Sequence, residues 1–496
     1  MEKLVAVEPL RIEAPSPNGS QTNSLSLEDQ RLEKKLLRKL DFRIIPTLWF
    51  LFLVSFFDRS NIGPTDGTRN AKIAGMPKSL AMEGNDYNIA VLVFTVAYVV
   101  FGMPANLIVK KMGPKALAIY MFCWGLCTLG QGLTRTVDGL IACRFLMGMF
   151  EAGFVPGCAY LIGSYYKRNE FLRRYAVFFS ANMAAGAFNG LFSSLVTRIH
   201  GAGGYEGWRW LFIIEALITI AVSCVCYWFI VPFPENATFL TPAERTLLES
   251  RLEADGGGVR HDNISFRRVL PMIADWKIWI CVLSYMGAEE TASSVVAFQP
   301  SILKDLGWTS TSAQVHTIPI YAVAFVLTLS CAWLSDHLQH RFGFTLFGSF
   351  LIIIGWSVEL SYVPAAEVRY MGMFFVTSGA FIMMSTLVVW LCVNMGKGVK
   401  RSVAMGLLTG FGNCGALVSS NVFITNQAPK YPVGFGVGLA FGVMAGVTAT
   451  AFFVHLKMEN RRRDRLQSTS ARAYSRNELE NLQDLGEDHP DFRFQP

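Results

Sequence analysis

Residues 139–165 read GLIACRFLMGMFEAGFVPGCAYLIGSY, a long and almost wholly apolar stretch. It is longer than the about 20 apolar residues that a helix needs to cross a bilayer. Its only charged side chains are Arg144 and Glu151. A charge at the centre of such a helix costs at least about 2.5–3.5 kcal/mol, so each one needs a partner or a purpose. The stretch therefore predicts a membrane-spanning helix that carries a functional or structural charge.

Eleven further stretches have the same character, so the sequence predicts an all-α membrane protein with twelve transmembrane helices. The predicted spans are 43–64, 87–108, 115–134, 139–165, 175–197, 209–231, 276–298, 314–335, 342–363, 369–393, 402–424 and 433–456. Six spans, a polar gap and six more spans are typical of secondary transporters, in which two helix bundles surround a central cavity.

The composition agrees with this class and excludes others. Of the 496 residues, 52% are hydrophobic and 16% are charged, whereas soluble domains carry about 25% charged residues. The formal charge of +7 suits a protein beside an anionic membrane leaflet, and no nucleic-acid-binding motif accompanies it. All ten cysteines lie in apolar runs without a CxxC pair, which predicts neither a disulfide nor a metal site.

Clusters of basic residues orient the chain in the membrane, because Lys and Arg concentrate on the cytoplasmic side. Four clusters share one side if both termini are cytoplasmic: 110–111, 167–168, 400–401 and 461–463. The predicted domains are then a cytoplasmic N-terminal tail, an N-terminal six-helix bundle, a cytoplasmic linker, a C-terminal six-helix bundle and a cytoplasmic C-terminal tail: 1–42, 43–231, 232–275, 276–456 and 457–496. Within the linker, the capping box from Thr241 to Glu244 predicts a helix.

The charges within the spans are the candidate site residues. A rise of 1.5 Å per residue places Arg59, Glu151 and one of Glu289 and Glu290 within a slab about 8 Å thick. Arg144 and Glu151 share one face of their helix. Arginine keeps its charge, whereas a desolvated glutamate can take up a proton, so the pattern favours an anion anchor beside a proton carrier. The alternative is a set of ion pairs that locks helices together.

Glu289 and Glu290 are adjacent, so on a helix their side chains diverge by about 100°. One of them can face a cavity while the other faces a neighbouring helix. Either is a candidate for a second proton site, and the sequence leaves the choice between them open.

Four motifs resemble the major facilitator superfamily and, within it, the fungal anion:cation symporter family, the allantoate permease group. They are FDRSNIG at 57–63, RFLMGMFEAGFVPG at 144–157, GWRWLF at 207–212 with Glu215, and ENRRRD at 459–464. The resemblance covers about residues 40–465. It implies proton-coupled uptake of a small organic anion, with Arg59 and Asn61 contacting the substrate carboxylate. It also implies that Arg144 belongs to the substrate site and that Glu151 serves proton coupling.

The chain departs from the superfamily pattern at the two cytoplasmic loops that form an inner gate. After span two, Lys110 stands where the pattern has an aspartate, and Asn106 stands where it has the first glycine. The second copy, after span eight, keeps Asp336 and Arg341. We therefore expect an asymmetric gate that is held by Asp336 and Arg341.

The leading interpretation is a proton-coupled importer of a small organic anion that works by alternating access. The alternatives are an exporter or facilitator of a small metabolite on the same fold, and a non-transporting nutrient sensor. We expect no enzyme activity and no cofactor, because no span carries a catalytic triad, paired aspartates or a histidine-rich metal site. The expected partners are the anion, protons and the lipid bilayer, with no nucleic acid. We expect a monomer in the plasma membrane.

Overall fold

The structure of the chain is a computed structural model. It describes residues 27–60, 76–82, 86–196, 199, 201, 204–254, 266–308, 310–395, 399–423, 427, 430–469 and 492–495.

Twelve long helices account for most of this part of the chain, in agreement with the twelve predicted spans. They are α1 (Leu27–Ser60), α2 (Asp86–Met112), α3 (Ala116–Leu133), α4 (Val137–Tyr165), α5 (Phe171–Val196), α6 (Gly207–Phe229), α7 (Trp276–Asp305), α8 (Ser310–Leu338), α9 (Arg341–Leu360), α10 (Ala366–Asn394), α11 (Val399–Val422) and α12 (Pro432–Thr469). Over the described residues, nine of the twelve are long and apolar enough by themselves to cross a membrane. Shorter helices span Met76–Ser79, Pro242–Ala254 and Phe266–Ile273.

The first and last helices extend beyond the apolar spans because polar residues continue them. Near the start of α1, Leu36 and Leu40 lie one turn apart on the same face of an amphipathic helix, and both are buried. At the end of α12, Arg463 Nε donates to Glu459 Oε1 one turn earlier at 3.0 Å. Such i,i+4 pairs support helix outside the bilayer.

The linker helix Pro242–Ala254 begins at the predicted capping box, which the structure confirms. The Thr241 backbone N–H donates to Glu244 Oε2 at 2.9 Å, and the Glu244 N–H donates to Thr241 Oγ1 at 3.3 Å. Lys39 Nζ also donates to Glu244 at 2.7 Å and holds the pKa of that carboxyl below its ordinary value. The cytoplasmic part of α1 is therefore fastened to the linker.

The two bundles meet along α5 with α8 and along α2 with α11. Glycines bring the backbones of α2 and α11 into contact. A Cβ added at Gly102 would lie 3.1 Å from the Gly406 carbonyl oxygen, and a Cβ at Gly406 would lie 2.7 Å from Met103 Cα. A side chain at either position would push the bundles apart on the cytoplasmic side of the midplane.

Candidate functional site

A cavity of about 1200 Å³, including open solvent at its mouth, lies between the two bundles. Helices α1, α2, α4 and α5 of the N-terminal bundle line one side, and α7, α10 and α11 of the C-terminal bundle line the other. A space shared by both bundles is where alternating-access transporters hold their substrates. The cavity is therefore the candidate functional site.

Three charged side chains line this cavity among the residues that the structure describes: Arg144, Glu151 and Glu289. Arg144 is 1% exposed, and its guanidinium carbon lies 5.9 Å from the centre of the Phe94 ring. This distance is within the range of a cation–π contact. One cation and two carboxyl groups, contributed by both bundles, thus face a common space.

The sequence of α4 explains how Arg144 and Glu151 reach the cavity together. They lie two turns apart on one face, and Gly148 lies between them. A Cβ added at Gly148 would stand 2.3 Å from the Phe94 carbonyl oxygen, so α2 and α4 are in backbone contact here. This close packing fixes the rotation of α4 about its axis and turns its charged face to the cavity.

Two of the lining helices have a short irregularity beside the cavity. In α4 the irregular residues are Ala152 and Gly153, directly after Glu151. In α11 the irregular residue is Asn413, which also lines the cavity. The backbone stays in the right-handed helical region at all three residues, so each helix continues through the irregularity.

The structure separates the two adjacent glutamates of α7. Glu289 lines the cavity and accepts a hydrogen bond from Ser293 Oγ at 3.3 Å. Glu290 is 0% exposed and does not line it. Instead, Ser294 Oγ and Thr291 Oγ1 donate to Glu290 at 3.0 and 3.4 Å inside the C-terminal bundle. The packing of α7 against α11 sets which glutamate faces the cavity. A Cβ added at Gly415 of α11 would lie 2.7 Å from the backbone N of Glu290, so the two helices are in close contact here.

Aromatic and neutral polar side chains complete the cavity. Phe179 and Phe381 approach each other across the two bundles, with ring centres 6.2 Å apart. Asn182 lies beside them, and its buried Oδ1 accepts no hydrogen bond from the described protein atoms. Asn413 of α11 also lines the cavity.

The structure does not describe the span-one side chains that are predicted to contact the substrate carboxylate. The side chain of Arg59 and the whole of Asn61 lie outside the described residues. Their roles stay predictions.

Two other membrane charges have structural surroundings. Glu359 Oε2 is bound by Arg369 Nη2 at 2.9 Å, which joins α9 to α10 within one bundle. Arg209 donates to the carbonyl oxygens of Gly132 and Thr134 and so joins α6 to the end of α3. These contacts stabilise each bundle and lie away from the cavity lining.

Asp336 and Arg341 lie where the bundles meet on the cytoplasmic side. Arg341 Nη1 is 3.3 Å from Asp336 Oδ1, and both belong to the C-terminal bundle. Asp336 and Arg341 each also make a hydrogen bond with the N-terminal bundle, near the start of α5. The Arg173 backbone N–H donates to Asp336 Oδ2 at 2.7 Å, and Arg341 Nη2 donates to the Arg168 carbonyl oxygen.

Among the described residues, an amide and a guanidinium side chain bind backbone carbonyl oxygens across the other contact between the bundles. Asn106 Nδ2 donates to the Ser402 carbonyl oxygen at 2.6 Å, which joins α2 to α11. Arg401 Nη1 donates to the Gly163 carbonyl oxygen of α4 at 3.3 Å. Asn106, which replaces a glycine of the superfamily pattern, is thus a contact between the bundles that sequence reasoning missed.

Asp336→Asn is expected to favour opening of the cytoplasmic side. The asparagine can still accept from Arg173, but Arg341 loses its ionic partner, and breaking a buried pair of this kind costs about 3–5 kcal/mol. The measurement is the accessibility of a cysteine reporter in the cytoplasmic half of the cavity to a membrane-impermeant thiol reagent applied from the cytoplasmic side.

Glu359→Gln is the matched control, since it also breaks a buried ion pair, but among the described contacts Glu359 and Arg369 bond to no residue of the other bundle. It should lower thermal stability without changing reporter accessibility. Equal accessibility in Asp336→Asn and the parent protein would refute the gating role.

Comparison with known proteins agrees with the fold. A sequence profile of the Major Facilitator Superfamily matches residues 48–420. The chain is 32% identical to the MFS-type transporter cnsO of Penicillium expansum, over 93% of this chain and 90% of the relative. It is 29% identical to the high-affinity nicotinic acid transporter of Saccharomyces cerevisiae, over 86% of this chain and 79% of the relative.

Among solved structures, the proton:xylose symporter XylE bound to 6-bromo-6-deoxy-D-glucose shares the fold with a TM-score of 0.62. The alignment covers 84% of this chain and 96% of that one at 14% identity. The relatives and the fold are those of membrane transporters, and not of enzymes. The chain therefore belongs to the Major Facilitator Superfamily and is a multi-pass membrane transporter of that superfamily.

Proposed function

We propose that this transporter takes up a small organic anion together with protons. The observation that carries the proposal is the charge content of the cavity, where Arg144 faces the same space as Glu151 and Glu289. The substrate class is a carboxylate such as a vitamin, an allantoate-like compound or an organic acid. The nicotinic acid named for one relative is a member of this class and is a sensible first candidate.

The charges make proton and anion binding depend on each other. If both glutamates are ionised, the described charged groups of the cavity sum to one negative charge. An anion that enters adds a second one, and an uncompensated charge in a poorly solvated site is unfavourable by several kcal/mol. Protonation of one glutamate removes this penalty. By linkage, the proton and the anion then strengthen each other's binding by the same factor.

The roles follow from chemistry and position. Arg144 binds the carboxylate through its planar pair of N–H donors. Glu151 takes up and releases the coupled proton, and Glu289 is the second proton site, in preference to Glu290, because only Glu289 lines the cavity. Phe179, Phe381 and Asn182 contact the uncharged part of the substrate. Asp336 and Arg341 close the cytoplasmic side while the cavity faces outward.

Uptake of radiolabelled carboxylates into proteoliposomes, beginning with nicotinate, tests the proposal. With acid outside, at least one carboxylate should accumulate above its equilibrium level, and a protonophore should abolish the accumulation. Equal uptake with and without the pH gradient would argue for a facilitator. If accumulation occurs only in vesicles in which the protein is inserted the other way round relative to the pH gradient, the protein is an exporter.

A further inference from the structure

The four residues Phe492–Gln495 lie against the C-terminal parts of α10 and α12. The Phe494 ring is 3% exposed. Arg463 and Lys277 lie over it, at 4.7 and 5.4 Å from the ring centre. The C-terminal segment is thus inserted into the protein and not merely laid on its surface.

Two asparagines bind the backbone of this segment in the same manner. Asn460 Nδ2 donates to the Phe494 carbonyl oxygen at 2.8 Å, while the Phe494 N–H donates to Asn460 Oδ1 at 3.0 Å. Asn394 Nδ2 donates to the Gln495 carbonyl oxygen at 2.9 Å, and the Gln495 N–H donates to Asn394 Oδ1 at 2.7 Å. Each amide satisfies both backbone groups of one residue, as a neighbouring strand would.

Buried indole and guanidinium donors add to these pairs. Trp390 Nε1 donates to the Gln495 carbonyl oxygen at 2.9 Å, and Arg463 Nη1 donates to the Phe492 carbonyl oxygen at 3.0 Å. Trp390 and Asn394 are both fully buried. Without the segment, the Trp390 indole N–H would lose this acceptor in a buried setting, and such an unsatisfied group costs about 1–3 kcal/mol. The site is therefore built to hold a peptide backbone.

The segment also touches the other bundle. Arg168, in the loop between α4 and α5, lies over the Phe492 ring at 4.4 Å and donates to the Arg493 carbonyl oxygen at 3.4 Å. The carbonyl oxygen of the same Arg168 accepts from Arg341 of the C-terminal bundle. The segment thus extends the contact between the bundles beside Asp336 and Arg341.

We propose that Phe492–Gln495 is an intramolecular ligand of the α10–α12 site and that its binding favours the conformation in which the cytoplasmic side is closed. When this side opens, Arg168 moves away from the C-terminal bundle and its contacts with Phe492 and Arg493 are lost. A ligand that makes more contacts in one conformation shifts the population toward it. Because the segment is tethered, its effective concentration at the site is high.

The first experiment tests the site. A chain that ends at residue 490 should bind a fluorescent peptide with the sequence of residues 491–496, DFRFQP, as measured by anisotropy. The full-length chain should bind it much more weakly, because its own segment occupies the site. A peptide in which the residue corresponding to Phe494 is alanine should not bind. Absence of binding to the shortened chain would overturn the proposal.

The second experiment tests the conformational effect. Spin labels at Asn169 and Leu338, both exposed at the cytoplasmic ends of opposite bundles, report the opening in a cysteine-free background of the full chain. Phe494→Ala should release the segment and raise the ratio of the open to the closed population about tenfold. This is the amount expected from losing the cation–π contact and the hydrogen bond that Arg168 makes with the segment. Adding the DFRFQP peptide to the shortened chain should restore the closed distance.

Arg493→Ala is the matched control within the segment. It removes a side chain that pairs with the exposed Asp464 and leaves the backbone carbonyl that Arg168 binds. Its distance distribution should equal that of the parent protein. Identical distributions in Phe494→Ala and the parent, or no response of the shortened chain to the peptide, would overturn the proposal.

Discussion

Glu151→Gln is expected to abolish accumulation of substrate against a gradient while leaving exchange of substrate across the membrane largely intact. Glutamine has nearly the shape of the protonated carboxyl and is neutral, so the cavity can still accept an anion beside Arg144. It cannot take up or release a proton, so the substrate no longer moves together with one. Counterflow of labelled substrate and pH-driven uptake, measured in the same proteoliposome preparation, separate the two activities.

Glu290→Gln is the control for this experiment. Glu290 is also a buried membrane carboxyl, but it lies inside the C-terminal bundle among Thr291 and Ser294 and does not line the cavity. Its replacement should lower stability modestly and leave accumulation in place. If Glu151→Gln still concentrates substrate with the parent's pH dependence, Glu151 is structural and Glu289 becomes the candidate for coupling.

Arg144→Lys should weaken the apparent affinity for the substrate about 100-fold, although the positive charge is kept. Lysine is a point charge and cannot present two parallel N–H donors to a carboxylate. It also loses the guanidinium carbon that lies 5.9 Å from the centre of the Phe94 ring. The loss of charge-assisted hydrogen bonds in a buried site accounts for about 2–5 kcal/mol, and each 1.4 kcal/mol is a factor of ten.

The measurement is the concentration dependence of initial uptake under a fixed pH gradient. Arg209→Lys provides the comparison, because Arg209 is buried in the same bundle but binds backbone carbonyl oxygens outside the cavity. It should leave the apparent affinity unchanged. An unchanged affinity in Arg144→Lys would remove Arg144 from the substrate site and leave Arg59 as the anion anchor.

Hydropathy was sufficient to predict the twelve helices, because each apolar stretch has to satisfy its own backbone in lipid. It could not predict where α1 and α12 begin and end. Their cytoplasmic turns are polar and are held by contacts with distant residues, as Lys39 is by Glu244 of the linker. Hydropathy identifies only the segments that lie within the apolar part of the bilayer, and these turns lie outside it.

Some residues of the candidate site could likewise be predicted from local sequence, whereas others depend on how the helices pack. Arg144 and Glu151 could be placed on one face because helix geometry alone relates them. The choice between Glu289 and Glu290 depends on how α7 is rotated against α11, which no local pattern in the sequence records. The contact of Phe494 with Asn460 joins residues 34 positions apart in the chain. No periodicity connects them, so no local pattern predicts that the C-terminal segment binds these helices.

The glycine contact between α2 and α11 has a kinetic consequence. Where two helices interlock through large side chains, they separate only after many side chains change rotamer, and each change adds to the activation barrier. At Gly102 and Gly406 backbone lies on backbone, with no side chain from either glycine between the helices. The surfaces can part and meet again with few local rearrangements. Such a contact is suited to a protein in which this seam must open and close once in every turnover.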